Sequence, residues 1–317
     1  MSAKQLEPGL KAPKKKSNFL ARLKRQSMFQ IMVLCGVILM VIFNFIPMYG
    51  IVIAFKDYSV LDTISNAPWI GLDYFREFFS DPMFWTVMKN TLGISFLKLL
   101  IGFPAAIMLA IMINEIVNQR LKKLVQTISY LPHFLSWVIL GGMFITWLSD
   151  TGLVNNILID LNMIAKPIKF LTKPDYYWSV AVFSDIWKEV GWNTILYIAA
   201  MTGINPALYE AAKIDGASKL RQIVSITIPS IRHIIALTFV LSVGGLLGSN
   251  LDQTLVLQNP VNYQASEVIN SYVYKMGIQQ GNFSYATAVG LFVSVVSLIL
   301  VVTSHLVTKK ISDTSVF

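Results

Sequence analysis

The amino-acid sequence predicts an all-α polytopic membrane protein with six transmembrane helices. Of the 317 residues, 55% are hydrophobic and only 14% are charged, whereas soluble domains have about 25% charged residues. The apolar residues are concentrated in six segments, each long enough to cross a hydrocarbon core of ~30 Å. Lys and Arg residues are concentrated in every second connecting segment, as expected of membrane proteins with a defined orientation.

The six predicted spans account for most of the chain. They cover residues 28–55, 85–113, 127–148, 178–201, 234–257 and 285–306. Residues 1–27 are predicted to form a basic cytoplasmic tail, residues 28–308 the transmembrane domain, and residues 309–317 a second cytoplasmic tail. The first span is too long for the apolar core of a signal peptide and no small-residue cleavage site follows it, so we expect it to be retained.

Glycine and proline residues predict irregularities within the spans. Pro47 is expected to kink the outer end of the first span. Gly102 and Pro104 predict an internal break in the second span, whose backbone groups neighbouring helices would have to satisfy. In the fifth span, the four-residue spacing of Gly244 and Gly248 permits close helix packing.

The distribution of basic residues predicts the orientation of the spans. With both termini inside, 17 of the 26 Lys and Arg residues fall in inner segments, six in outer loops and three within spans. This bias places both termini and the polar segment 206–229 in the cytoplasm. Because the net charge of +9 flanks the spans instead of gathering on one folded face, nucleic-acid binding is not expected.

The polar segment 206–229, which we call the elbow, predicts a helix-turn-helix between the fourth and fifth spans. Pro206 suits the first turn of a helix, and Gly216 can adopt the positive φ that ends it. A second short helix is expected over residues 218–226, with Pro229 ending it. A plain connector would be shorter and would need no small-residue face, so we expect the elbow to be a docking surface.

The elbow resembles the EAA loop of permease subunits of ATP-binding-cassette importers. The match consists of Glu210-Ala211-Ala212, then Gly216 after three further residues, and an Ile-Thr-Ile-Pro run that ends at Pro229. In that family the loop is a cytoplasmic coupling helix that sits in a cleft of the ATPase subunit. The resemblance implies an ATPase-coupling role for Glu210, Ala211, Ala212, Asp215, Gly216, Ile226 and Pro229.

Other segments resemble the importer branch that takes up oligosaccharides derived from complex polysaccharides. They are F-K-D-Y-S-V at 55–60, L-P-H-F-L-S-W at 131–137 and A-S-E-V-I-N-S-Y-V-Y at 265–274, beside E-A-A-K-I-D-G-A at 210–217. The resemblance implies the type I importer permease fold of the maltose-type permeases, in a bacterial cell membrane. It also implies a second homologous permease, two ATPase subunits that use ATP and Mg²⁺, and an extracytoplasmic solute-binding protein.

Polar residues in the spans on either side of the elbow predict a substrate pathway. The predicted pathway residues are Asp185, Glu189, Trp192, Ser242, Ser249, Asn250 and Gln253. The first three recur at i, i+4 and i+7 and therefore share one helix face, and Lys188 is placed to neutralise a neighbouring carboxylate. Ser242, Ser249 and Gln253 recur at i, i+7 and i+11. Such groups suit a sugar, whose hydroxyls form hydrogen bonds and whose C–H faces stack on tryptophan.

The same residues leave a less specific alternative open. Asp185 and Glu189 would simply meet water if they lay near the outer interface. An importer permease for amino acids or peptides would share the elbow, but such permeases usually lack the segments quoted above. A secondary transporter would need internal repeats, and none is convincing in this sequence.

Catalytic and metal-binding functions are not expected of this chain. It has no serine elbow and no phosphate-binding G-x-x-x-x-G-K-[ST] loop, so we expect it to bind no cofactor itself. His133, His233 and His305 lack metal-ligand spacing. Cys35, the single cysteine, is predicted to be a small buried apolar residue. A DNA-binding helix-turn-helix is disfavoured because the elbow is acidic where it would face phosphates and is tethered to membrane lipids at both ends.

Overall fold

The computed structural model describes residues 26–61, 63–248 and 250–312. Within these residues the structure is helical, and extended pairing is limited to an isolated antiparallel bridge between Lys56 and Trp69. The all-α prediction is therefore confirmed. Most of the predicted N-terminal tail, and residues 313–317 at the other end, lie outside the described residues.

The chain divides into two units, residues 1–52 and 53–317. The first helical segments within the described residues are α1 (Ser27–Met40), a π turn (Val41–Phe45) and a 3₁₀ helix (Pro47–Phe55). The change to 3₁₀ geometry occurs at Pro47, which has no N–H for the α-helical ladder. Cys35 is exposed, so the prediction that it is buried is wrong. Because α1 is apolar on all sides, no single face is selected for burial, as is typical of a membrane span.

The second unit consists of helices joined by turns and by longer irregular segments, such as residues 161–173. Its α-helices are α2 (Asp73–Ser80), α3 (Phe84–Glu115), α4 (Gln119–Tyr130), α5 (Trp137–Trp147), α6 (Leu153–Asp160), α7 (Pro174–Thr202), α8 (Pro206–Ile214), α9 (Lys219–Gln222), α10 (Ile228–Ser230), α11 (Arg232–Gly244), α12 (Leu251–Leu257), α13 (Tyr263–Ser266), α14 (Ile269–Tyr274) and α15 (Phe283–Ser312). A 3₁₀ turn lies at Leu131–Phe134, and π turns lie at Ile223–Thr227 and Lys275–Gln279. The long helices α3 and α7 pack against each other, and α11 packs against α15.

Several helices have the length and apolar composition of membrane spans. Within the described residues, three helices meet this criterion: Ser27–Phe55, Phe84–Glu115 and Phe283–Lys310. The total rises to five if two bent pairs are each counted as one span: Gln119–Phe134 with Trp137–Trp147, and Lys219–Ser230 with Arg232–Gly244. The 29-residue α7, which corresponds to the fourth predicted span, is long enough to cross a bilayer but carries Asp185, Lys188 and Glu189 within it.

The predicted internal break in the second span is wrong. Helix α3 continues through Pro104 for all of its 32 residues. Gly102 has a packing role instead, because a Cβ at this position would lie 3.3 Å from Cγ1 of Ile186 on α7. The absence of a side chain at Gly102 thus lets the two long helices approach each other closely.

The third predicted span is not one continuous helix. The segment Gln119–Phe134 and α5 meet at an angle of 100°. Leu135 and Ser136 are extended at the junction, and the Ser136 hydroxyl caps α5 by accepting a hydrogen bond from the Ile139 N–H at 3.4 Å. Apolar continuity predicted a straight span here, but the local capping geometry produces a sharp bend.

The fifth predicted span is also interrupted. Helix α11 ends at Gly244, and α12 begins after Asn250, whose side chain accepts a hydrogen bond from the Gln253 N–H at 3.2 Å. The predicted close packing is confirmed at Gly244, where a Cβ would lie 2.5 Å from Cγ2 of Val301 on α15. Gly244 thus makes the helix contact, and α11 ends at the same residue.

The core consists of three clusters of buried side chains. One includes Phe144, Tyr177 and Leu257 and joins α5, α7 and α12. A second, near the elbow, includes Ile113, Tyr197 and Ile231. The third includes Phe78, Tyr272 and Tyr285 and joins α2, α14 and α15.

Candidate functional site

The first arm of the elbow has the geometry expected from its sequence. Pro206 occupies the first turn of α8, and the Asn205 side chain caps the helix by accepting a hydrogen bond from the Ala207 N–H at 3.1 Å. Gly216 has φ +76°, and the Ala217 N–H then returns to the Ala212 carbonyl at 2.8 Å. The predicted helix start and the positive φ that ends the helix are both confirmed.

The second arm, Lys219–Ser230, extends past the predicted end. Pro229 does not stop it, because the chain remains helical to Ser230 and then bends by 66° into α11. A π turn over Ile223–Thr227 precedes the proline, which therefore lies in the first turn of α10. A proline in a first turn costs little, since no N–H is needed there.

Polar contacts join the two arms to each other and to α3. The hydroxyl groups of Tyr209 and Thr227 lie 2.9 Å apart, and Thr227 is buried. Lys219 Nζ donates to Oε2 of Glu115, the last residue of α3, at 2.7 Å. The elbow is thus a structured unit whose two arms are linked.

The outer surface of the elbow is exposed and partly apolar. Most of the residues assigned to coupling lie on it: Glu210, Ala211, Asp215, Gly216 and Pro229 are exposed, and Ala212 and Ile226 are half-buried. Apolar side chains lie beside them, with Ile214 87% and Leu220 71% exposed. An exposed apolar patch with a polar rim is typical of a protein–protein interaction site.

A cavity of about 740 Å³ lies between α3, α7, α11 and the segment that follows α11. Five of the predicted pathway residues line it: Asp185, Glu189, Trp192, Ser242 and Asn250. Gln253 is not part of the wall, and Ser249 lies outside the described residues. The predicted stripe of Ser242, Ser249 and Gln253 is wrong as a helical face, because α11 ends before it is complete.

Asp185 is paired within the cavity wall. Lys98 Nζ lies 3.0 Å from Asp185 Oδ1 and donates to Gln253 Oε1 at 2.8 Å. Gln253 is buried and in turn donates to the Ala181 carbonyl and the Ser184 hydroxyl on α7. Gln253 therefore fixes the position of the Lys98 ammonium group through hydrogen bonds to Lys98 and to α7. Lys98 is one of the three basic residues within predicted spans, and a lysine inside a membrane span was the available signal for such a pair.

Glu189 belongs to a second polar group. Its Oε2 lies 2.7 Å from Nδ1 of His133, and the imidazole stacks on Trp192 with ring centroids 4.2 Å apart and an interplanar angle of 5°. Lys188 Nζ lies 3.6 Å from Glu189 Oε1, as predicted, and it also donates to the carbonyls of His133 and Leu135. The scattered sequence positions of the histidines gave no indication of this role for His133.

Both carboxylates are paired with cations in the cavity wall. The side chains of Asp185 and Glu189 are 19% and 28% exposed, and each lies within ion-pair distance of a lysine or a histidine. They are therefore elements of an organised cavity wall, and their role in a substrate pathway stays a prediction.

A helical bundle with membrane-span helices, a cavity that carries a few charged and polar groups, and an exposed elbow has the features of a transport permease. Residues 102–313 match the family of binding-protein-dependent transport system inner membrane components. The chain is 39% identical over 304 residues to the polygalacturonan/rhamnogalacturonan transport system permease protein YteP of Bacillus subtilis, covering 96% of this chain and 94% of the relative.

Solved structures agree with this relationship. A bacterial ABC transporter involved in the import of the acidic polysaccharide alginate matches with a TM-score of 0.84 and 39% identity, over 92% of this chain and 99% of the other. The alginate transporter in complex with an alginate pentasaccharide-bound periplasmic protein matches with a TM-score of 0.84 and 38% identity, over 94% and 99% of the two chains. The chain belongs to the binding-protein-dependent inner membrane permease family and has the type I ABC importer permease fold.

Proposed function

We propose that this chain is the transmembrane subunit of an ATP-driven importer for an oligosaccharide delivered by an extracytoplasmic solute-binding protein. The observation that carries the proposal is the continuity of α7 with the elbow. Helix α7 supplies Asp185, Glu189 and Trp192 to the cavity wall and ends at Thr202, and α8 of the elbow begins at Pro206. A movement of the elbow is therefore transmitted through α7 to the residues that line the cavity.

The proposed partners follow from the same arrangement. The chain pairs with a second homologous permease, and two ATPase subunits bind below the elbows. The ATPases use ATP and Mg²⁺, and this chain binds no cofactor of its own. The coupling residues named above contact a cleft of one ATPase, and ATP-driven closure of the ATPases moves the permease between inward-facing and outward-facing states.

The proposed orientation places the elbow and both termini in the cytoplasm of a bacterial cell, with the chain in the inner or plasma membrane. The excess of Lys and Arg in the segments on that side supports it. The ATPases then lie on the side where ATP is available, and the binding protein docks on the opposite side.

The proposed substrate is an oligosaccharide that contains uronic acid units. The names of the relatives support this class, since they describe polygalacturonan, rhamnogalacturonan and alginate. The cavity wall offers Trp192 for stacking and Asn193, Thr238 and Ser242 for hydrogen bonds to hydroxyls. Few directed polar groups on a largely apolar wall are typical of a small-molecule site.

The test is reconstitution of the complex that co-purifies with the tagged chain. Mass spectrometry should find an ATP-binding-cassette ATPase, a second permease and a solute-binding protein. Proteoliposomes with that complex should accumulate trigalacturonate only when ATP and the binding protein are both supplied, and maltotriose serves as the uncharged control. Purification of the chain without an ATPase would contradict the importer proposal, and preference for maltotriose would contradict the substrate class.

A further inference from the structure

We propose that His133 is a positioning residue that holds the Trp192 indole in one orientation on the cavity wall. The inference rests on the proposed function, in which Trp192 stacks on a sugar ring. His133 would act through Trp192 and would not itself contact the sugar, and His133 is not among the residues that line the cavity.

The geometry of the three rings shows which face of Trp192 is covered. The imidazole of His133 is nearly parallel to the indole at 4.2 Å, whereas Phe134 contacts the indole at 5.5 Å and 86°. The centroids of His133 and Phe134 are themselves 5.5 Å apart. A ring on the opposite face of Trp192 would lie almost twice as far from His133, so Phe134 lies at the indole edge. The face opposite His133 is thus covered by neither ring.

The position of His133 is itself fixed by helix α7. Lys188 donates hydrogen bonds to the carbonyls of His133 and Leu135, and Glu189 accepts one from the imidazole or its protonated form. At Gly191, helices α7 and α4 approach so closely that a Cβ would lie 1.9 Å from the Ser129 carbonyl oxygen. The histidine is therefore held at its backbone and at its ring nitrogen.

A fixed indole has a physical advantage for binding a sugar. Trp192 is 39% exposed, and an exposed indole without a partner would populate several rotamers. Ordering such a side chain during binding costs conformational entropy, and a preorganised side chain avoids that cost. The stack supplies the ordering before the substrate arrives, since parallel aromatic pairs are favourable in their own right.

The test compares two substitutions of similar size in the complete complex. His133→Phe keeps an aromatic face for the stack, whereas His133→Leu keeps much of the volume but cannot stack. The chain is labelled with 5-fluorotryptophan, and the Trp192 resonance is assigned by its loss in a Trp192→Phe variant. The fluorine spectrum is recorded without any ligand, so this readout does not depend on the identity of the substrate.

We expect one narrow Trp192 resonance in the wild-type complex and in His133→Phe, and a broadened or split resonance in His133→Leu. Both variants lose the hydrogen bond to Glu189, so trigalacturonate uptake into proteoliposomes should be about two- to tenfold lower in His133→Leu than in His133→Phe, which is the range that an aromatic pair contributes. His233→Ala, which changes an exposed histidine outside the cavity wall, is the control and should leave the resonance unchanged.

An unchanged Trp192 resonance in His133→Leu would overturn the inference, and so would equal broadening in both variants, because stacking would then not be the cause. The proposed role of Trp192 fails separately. If Trp192→Ala transports trigalacturonate at the wild-type rate while His133→Leu still disorders the indole, the positioning role stands and the substrate contact does not.

Discussion

The ammonium group of Lys98 and the carboxylate of Asp185 lie 3.0 Å apart beside the cavity. The two side chains are 17% and 19% exposed, so water screens the pair only partly. Gln253 accepts a hydrogen bond from the same ammonium group at 2.8 Å. Lys98 on α3 thus contacts both α7 and α12. It also balances the negative charge of Asp185 in the cavity wall.

Removing the lysine charge should destabilise the bundle. Lys98→Met keeps most of the volume but leaves Asp185 without its cation, and we expect a loss of about 2–3 kcal/mol, somewhat below that of a fully buried pair. The thermal unfolding of the purified complex in detergent measures the loss. Lys89→Met, on the same helix but exposed, is the matched control and should change stability by less than about 0.5 kcal/mol.

The double variant tests whether the effect belongs to the pair. Lys98→Met combined with Asp185→Asn removes both charges, so it should be more stable than Lys98→Met alone. Asp185→Asn alone is measured as well, and if the two single effects simply add, the ion pair does not contribute and Lys98 acts through packing and its hydrogen bond to Gln253.

The turn at Gly216 should be required for coupling. Its φ of +76° is strained for any residue with a Cβ, by roughly 1–2 kcal/mol, so Gly216→Ala should distort the elbow without affecting the spans. We expect more ATP hydrolysed per trigalacturonate imported, and Gly216→Pro should uncouple the complex more completely. The ratio of hydrolysis to uptake in proteoliposomes measures this.

Gly203 supplies the control for that substitution. It lies just before the elbow, at the end of α7, with φ −83°, and a Cβ there would meet its nearest neighbour at an ordinary 3.5 Å. Gly203→Ala should therefore leave the ratio at the wild-type value. An equal change in both variants would show that any alanine in this region disturbs coupling, independent of the positive φ.

The contact between Tyr209 and Thr227 should keep the two arms of the elbow in register. Tyr209→Phe removes one hydroxyl of a 2.9 Å contact and leaves the buried Thr227 hydroxyl without this partner, at a cost of about 1–3 kcal/mol. We expect faster hydrogen exchange in Lys219–Ser230. Thr227→Val with Tyr209→Phe should recover part of the protection, because both polar groups are then absent. Unchanged exchange in Tyr209→Phe would mean that packing alone fixes the arms.

Features set by local chemistry could be predicted from the sequence. Pro206 and Gly216 define the start and end of α8 because their backbone preferences do not depend on distant residues. The long apolar segments likewise predicted most of the spans. The same reasoning predicted that Pro229 would end the second arm, and it failed there because the π turn before Pro229 places it at a new helix start.

Features set by contacts between distant segments could not be predicted. Lys98 and Gln253 converge on Asp185 from separate helices, and helical periodicity within one span carries no information about such partners. Lys188 donates a hydrogen bond to the Leu135 carbonyl at the bend between α4 and α5. The residues around this bend are as apolar as those of a continuous span, so their sequence did not predict it. The predicted stripe assumed that one helix continues past Gly244. Because α11 ends there, Gln253 does not lie on the cavity wall.

The contact between α7 and α4 at Gly191 and Ser129 should be intolerant of any added side-chain atom. A Cβ at Gly191 would lie 1.9 Å from the Ser129 carbonyl oxygen and 2.9 Å from its Cβ, and the first of these neighbours is backbone that cannot rotate away. Gly191→Ala should therefore force α4 away from α7, with a destabilisation above about 4 kcal/mol, which is exceptional for a single methyl group. Gly290→Ala, where a Cβ would meet nothing within 4 Å, should be neutral or slightly stabilising. The yield of assembled complex after size-exclusion chromatography compares the two, and a Gly191→Ala complex as abundant and heat-stable as Gly290→Ala would contradict the close approach that fixes His133 and the cavity wall.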